Sequence, residues 1–61
     1  MYTLVEWNWG LYRTQYSNIH DAEMAYVEAR ETARLNFHPE PYVEDSKGNK
    51  IKFDWEKNDE M

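Results

Sequence analysis

The run NIHDAEMAYVEARETARLNF, residues 18–37, contains neither glycine nor proline and repeats small apolar residues at helical spacing. At about 100° per residue, Ala22, Ala25, Tyr26, Ala29 and Ala33 form one stripe, with Ile19 and Phe37 at its border. Four alanines in that stripe allow the helix axis to approach a sheet closely. Asn18 suits the N-cap, because its side-chain oxygen accepts from first-turn amides. Asp21, three residues on, sits favourably at the positive helix end. At the far end Asn36 is expected to supply the left-handed stop, and Pro39 forbids continuation by biasing His38 toward extended geometry. The spacing predicts a helix over 19–36 that packs through its alanines.

On the N-terminal side, residues 2–9 (YTLVEWNW) are rich in aromatic and β-branched types. As a strand they place Val5, Trp7 and Trp9 on one face and Tyr2, Leu4, Glu6 and Asn8 on the other. Gly10 follows, and residues 11–16 (LYRTQY) alternate again. Trp9-Gly10 therefore marks a hairpin turn, with a single bent strand as the alternative. On the C-terminal side, YVED at 42–45 and KIKFDW at 50–55 flank a loop containing Gly48 and read as a second hairpin. Ile51, Phe53 and Trp55 share one of its faces. The predicted class is α+β: a small antiparallel sheet, ββαββ with βαββ as the fallback, and one alanine-faced helix packed on one side. Residues 1–55 form this single domain, and 56–61 form a polar tail expected to fray.

Composition narrows the function. With 61 residues one small domain is the ceiling. Leu, Val, Ile and Phe supply only ten residues, a fraction that with a net charge of -5 leans toward disorder. Three Trp and five Tyr tip the balance back toward folding, because each ring buries roughly 150–250 Å². The chain is expected to fold with little stability in reserve, so that a partner or a second copy adds to it. No cysteine is present, which excludes disulfides, Cys-based metal sites and a Cys nucleophile. No apolar run is long enough to span a membrane, and no basic-then-apolar leader opens the chain. The expected setting is the cytoplasm of a bacterium or of an infected host cell.

Catalysis is not expected. His20 and His38 lie at opposite ends of the predicted helix, roughly 27 Å apart at about 1.5 Å per residue, so no single metal takes both in a monomer. They read as solvated histidines at helix boundaries, and neither a metal nor a cofactor is predicted. Ser17 and Ser46 occupy turn positions without a nucleophile-elbow context. Gly10 and Gly48 are too far apart to cradle a phosphate. Direct nucleic-acid binding is disfavoured by seven basic against twelve acidic residues.

The helix also has a second face. Met24, Val27 and Leu35 point away from the alanine stripe, Glu31 interrupts them, and Glu28, Arg30 and Arg34 rim them. Scattered surface hydrophobes are ordinary. An apolar centre with a charged border also fits a partner surface. On this reading Met24, Val27, Glu28, Glu31 and Leu35 bind a larger protein partner or form a homodimer seam. The function expected is a small acidic protein-interaction module. By analogy of size and charge it suits a phage-type inhibitor of a host or defence protein, acting by occluding a site. The alternative is a nucleic-acid-associated accessory protein. It would stack single strands on Tyr2, Tyr12, Tyr16 or Tyr42, or mimic the duplex with its acids.

Overall fold

The computed structural model describes residues 1–58. In chain order the elements are β1 (Tyr2–Trp7), β2 (Leu11–Tyr16), α1 (Ile19–Leu35), β3 (Tyr42–Glu44), β4 (Lys50–Ile51) and α2 (Asp54–Asn58). The four strands form one antiparallel sheet in the order β2-β1-β3-β4, with α1 packed on it. The class is α+β, and the ββαββ order is realised with a short helix appended. Of the tail expected to fray over 56–61, residues 56–58 belong to α2, and 59–61 lie outside the described residues.

The topology follows from the crossover. β1 and β2 pair as a hairpin from Tyr2↔Tyr16 to Trp7↔Leu11. α1 then carries the chain back across the sheet, and β3 enters on the free side of β1, with Leu4 opposite Val43. Asn18 caps α1 as its residue type requires: its Oδ1 accepts from the backbone N–H of His20 at 2.7 Å and of Asp21 at 3.4 Å.

α1 lies on the sheet face that carries Leu4 and Val43. These two bury with Ala22, Tyr26 and Phe53, and Tyr2, Tyr16, Ala25, Ala29, Ile51 and Trp55 pack around them. The alanine stripe thus meets the sheet as its spacing predicts, but its border does not. Ile19 and Phe37 are exposed, and Phe37 lies beyond the last residue of α1. On the opposite sheet face Val5 is only 1% exposed although no helix covers it. Its cross-strand neighbours are Arg13 and Tyr42. Arg13 reaches across to Glu44 at 3.2 Å, and the Lys50 ammonium lies 4.4 Å from the Tyr42 ring centroid. Charged side chains and one ring, instead of a second helix, close this face.

The last strand is shorter than its alternation predicts. β4 ends at Ile51, and Trp55 stands in α2. Glu56 accounts for the change: its Oε1 accepts from the Phe53 backbone N–H at 3.1 Å, the reciprocal half of a capping box. Its Oε2 accepts from the Tyr26 hydroxyl at 2.8 Å, and Trp55 Nε1–H donates to Glu23 at 2.7 Å. The Phe53 and Trp55 rings stack at 5.9 Å with planes 2° apart, and the Arg30 guanidinium lies 5.3 Å from the Trp55 ring. One turn of helix is tied to α1 by bonds that no local pattern reveals.

Candidate interaction surface

The two ends of α1 are finished differently. At its C-terminus the cap is Asn36, with φ -102° and ψ 5°, so the left-handed residue is not Asn36 as the sequence suggested. It is Phe37, at φ 58°. The Phe37 N–H donates to the Arg34 carbonyl at 3.4 Å and the His38 N–H to the Ala33 carbonyl at 2.8 Å. This is the Schellman pattern, which satisfies two of the helix's last carbonyls and usually places glycine at the left-handed position. Asn36 uses its side chain instead, donating Nδ2–H to the Thr32 carbonyl at 2.8 Å. An ion pair between Arg34 and Glu40 at 2.9 Å ties the helix end to the loop that follows.

A second non-glycine residue with positive φ is Trp9, at 59°, in the turn between β1 and β2. The Asn8 N–H donates across that turn to the Gly10 carbonyl at 2.9 Å. Trp9 meets His38 edge-to-face at a centroid distance of 5.2 Å. That contact places the hairpin turn and the helix's C-terminal loop at one pole of the molecule. Both left-handed aromatic residues project there into solvent, Phe37 at 95% and Trp9 at 85% exposure. A left-handed backbone costs an L-residue roughly 1–2 kcal/mol, and neither ring recovers that cost by burial. Exposed Leu35 in the last turn of α1, with Trp7 and Leu11 flanking the hairpin turn, gives the same end of the fold its apolar character.

Of the residues the sequence singled out on α1, Met24, Val27 and Leu35 are all exposed, as are Glu28 and Glu31. The structure places Leu35 at the aromatic end and Met24 toward the opposite end of the helix, so the five form a strip and not a compact patch. Sequence reasoning missed Trp9 and Phe37. Phe37 falls beside the alanine stripe on a helical wheel, and Trp9 continues the strand alternation. The only signal in the sequence was the absence of glycine at a helix stop and at position 9 of a tight turn.

The four tyrosines named for base stacking do not form one platform. Tyr2 and Tyr16 pack against the core on the helix side. Tyr42 lies on the other face under Lys50, and Tyr12 stands exposed at the sheet edge.

Depressions among the described residues include the following two. One, of about 20 Å³, lies under the pole and is lined in part by Trp7, Ala33, His38 and Pro41; it has room for about one water. The other is an open groove of about 270 Å³ between α1 and the β1–β2 hairpin, lined by Leu4, Glu6 and Tyr16 on the sheet side. Among the described residues no three of His, Asp or Glu gather where a metal ion could be held, and no helix is long and apolar enough to cross a membrane. His20 faces Glu23 at 4.0 Å in the first turn of α1, while His38 packs on Trp9 beyond its last.

No protein-family model matches the chain, and no curated protein or solved structure is significantly similar to it.

Proposed function

We propose that this protein is a small, non-enzymatic interaction module that binds a larger protein through its aromatic pole and occludes a site there. One observation carries the reading: the two described non-glycine residues with left-handed backbones are both aromatic, both exposed, and lie at the same end of the fold. Glycine at either position would relieve the strain at no cost in burial. Strain that the fold does not use is found where function requires it. Large rings held ready in a fixed backbone are the anchors that dominate protein interfaces. Leu35 joins the pole to the outer strip of α1, where Met24, Val27, Glu28 and Glu31 extend the contact. The acidic rim and the net charge of -5 favour a partner site bordered by basic side chains.

The test is affinity capture from the native host with the wild-type chain and three variants as baits, read by quantitative mass spectrometry. A protein enriched by the wild type is expected to be lost from Trp9→Ser and from Leu35→Glu, while circular dichroism stays unchanged. Met24→Glu maps how far along α1 the contact runs. Equal recovery of the same proteins by wild type, Trp9→Ser and Leu35→Glu contradicts the reading.

A further inference from the structure

The two edges of the sheet are built unequally. β4 is two residues long, carries Lys50, and is followed within a few residues by α2, all of which discourage another strand from adding to it. β2 has none of these guards. It runs six residues in unbroken one-to-one register with β1 and contains no Pro, Gly or Lys. Its single charge, Arg13, is already engaged by Glu44.

The hydrogen-bond phase of this edge follows from the bonds that flank the ladders. The Asn8–Gly10 bond continues the β1–β2 register, and the Asp45–Asn49 bond continues the β3–β4 register. Both assign the same alternation: Tyr12, Thr14 and Tyr16 turn their backbone groups to β1. Leu11, Arg13 and Gln15 then direct theirs outward.

We propose that β2 is the seam of a homodimer: the strand pairs antiparallel with β2 of a second copy about a two-fold axis at Thr14, joining two four-stranded sheets into one of eight. In that register the outward groups of Arg13 bond those of Gln15 in the other copy. Thr14 faces Thr14, and Tyr12 faces Tyr16, on the side that carries the helices. Thr–Thr and aromatic pairs stabilise antiparallel neighbours, and no like charges stand opposite each other. Moving the axis to Arg13 would set Arg13 against Arg13, so charge favours the Thr14 register over that neighbour. The pairing is isologous and closes on itself, with no strand edge passed on to a third copy. The open groove between α1 and the hairpin, with Tyr16 in its lining, leaves space beside Tyr16 for the Tyr12 ring of the second copy. This seam does not rest on the docking role of the aromatic pole.

The experiment uses the pure full-length chain without any partner, so its failure leaves the pole reading untouched. Sedimentation over a concentration series should show a mass rising from 7.5 kDa toward twice that value. Across the same series, amide hydrogen exchange at Leu11, Arg13 and Gln15 should slow by at least about tenfold, while Tyr12, Thr14 and Tyr16 stay protected throughout. Thr14→Lys places two ammonium groups opposite each other on an exposed position and should abolish both effects with an unchanged circular dichroism spectrum. The proposal is overturned if the three outward amides remain unprotected at the highest soluble concentration. It is equally overturned if Thr14→Lys associates as the wild type does.

Discussion

Phe37 holds its ring in water and its backbone in the left-handed region, so the fold gains nothing from the side chain that it would lose with glycine. Phe37→Gly should raise stability by roughly 0.5–1 kcal/mol, the relief of strain less the added freedom of the unfolded chain. For a domain of this size that lifts Tm by a few degrees. A fall in Tm on thermal unfolding would show that the ring supports the fold. Tyr26 is the opposite case, a ring 4% exposed whose hydroxyl is committed inside. Burial, then the hydrogen bond it donates to Glu56 and that carboxylate's charge, push its pKa from 10.0 up to about 12. The unfolded chain releases this proton near pH 10 and the folded chain near pH 12. The contribution is therefore complete below pH 10 and is lost as pH rises through that window. Denaturation midpoints across this range should fall more steeply for the wild type than for Tyr26→Phe. Equal slopes contradict the assignment.

At the scale of elements, local chemistry made α1 and the first hairpin legible: an uninterrupted alanine period, an asparagine cap and a glycine-containing turn. α2 was not legible, because its one local signal, the half capping box between Phe53 and Glu56, lies inside an alternating run and the bonds that tie the helix to α1 are long-range. Trp55 bonds Glu23, and Glu56 bonds Tyr26, across separations of 32 and 30 residues. Alternation in residues 50–55 continues past the point where those bonds bend the chain into a helix. The pole was hidden for a similar reason. It exists only because the crossover brings the 7–11 turn beside the 36–39 loop, whereas the exposure of Met24, Val27 and Leu35 could be read from one helical wheel. Glu56→Ala removes the acceptor of the Tyr26 hydroxyl and of the Phe53 amide together, and should cost about 1–3 kcal/mol in urea unfolding. Glu56→Gln keeps an acceptor and should recover part of that loss. If alanine and glutamine behave like wild type, α2 is not anchored through this residue.

At the scale of the molecule, one helix on one sheet leaves much apolar surface without cover, and the chain distributes it unevenly. The uncovered sheet face is closed by Arg13, Glu44, Tyr42 and Lys50. One edge is guarded and the other is bare. The two most exposed rings, Trp9 and Phe37, gather at a single pole. A thin core and an exposed anchor group belong together, since a chain of this size gains stability from whatever it binds. The most direct test of the docking claim is the affinity of Phe37→Gly for the captured partner, measured by titration calorimetry against the wild type. An anchor ring predicts binding weaker by at least about tenfold in a variant that is as stable as the wild type or more so. An unchanged Kd in that better-folded variant would contradict it.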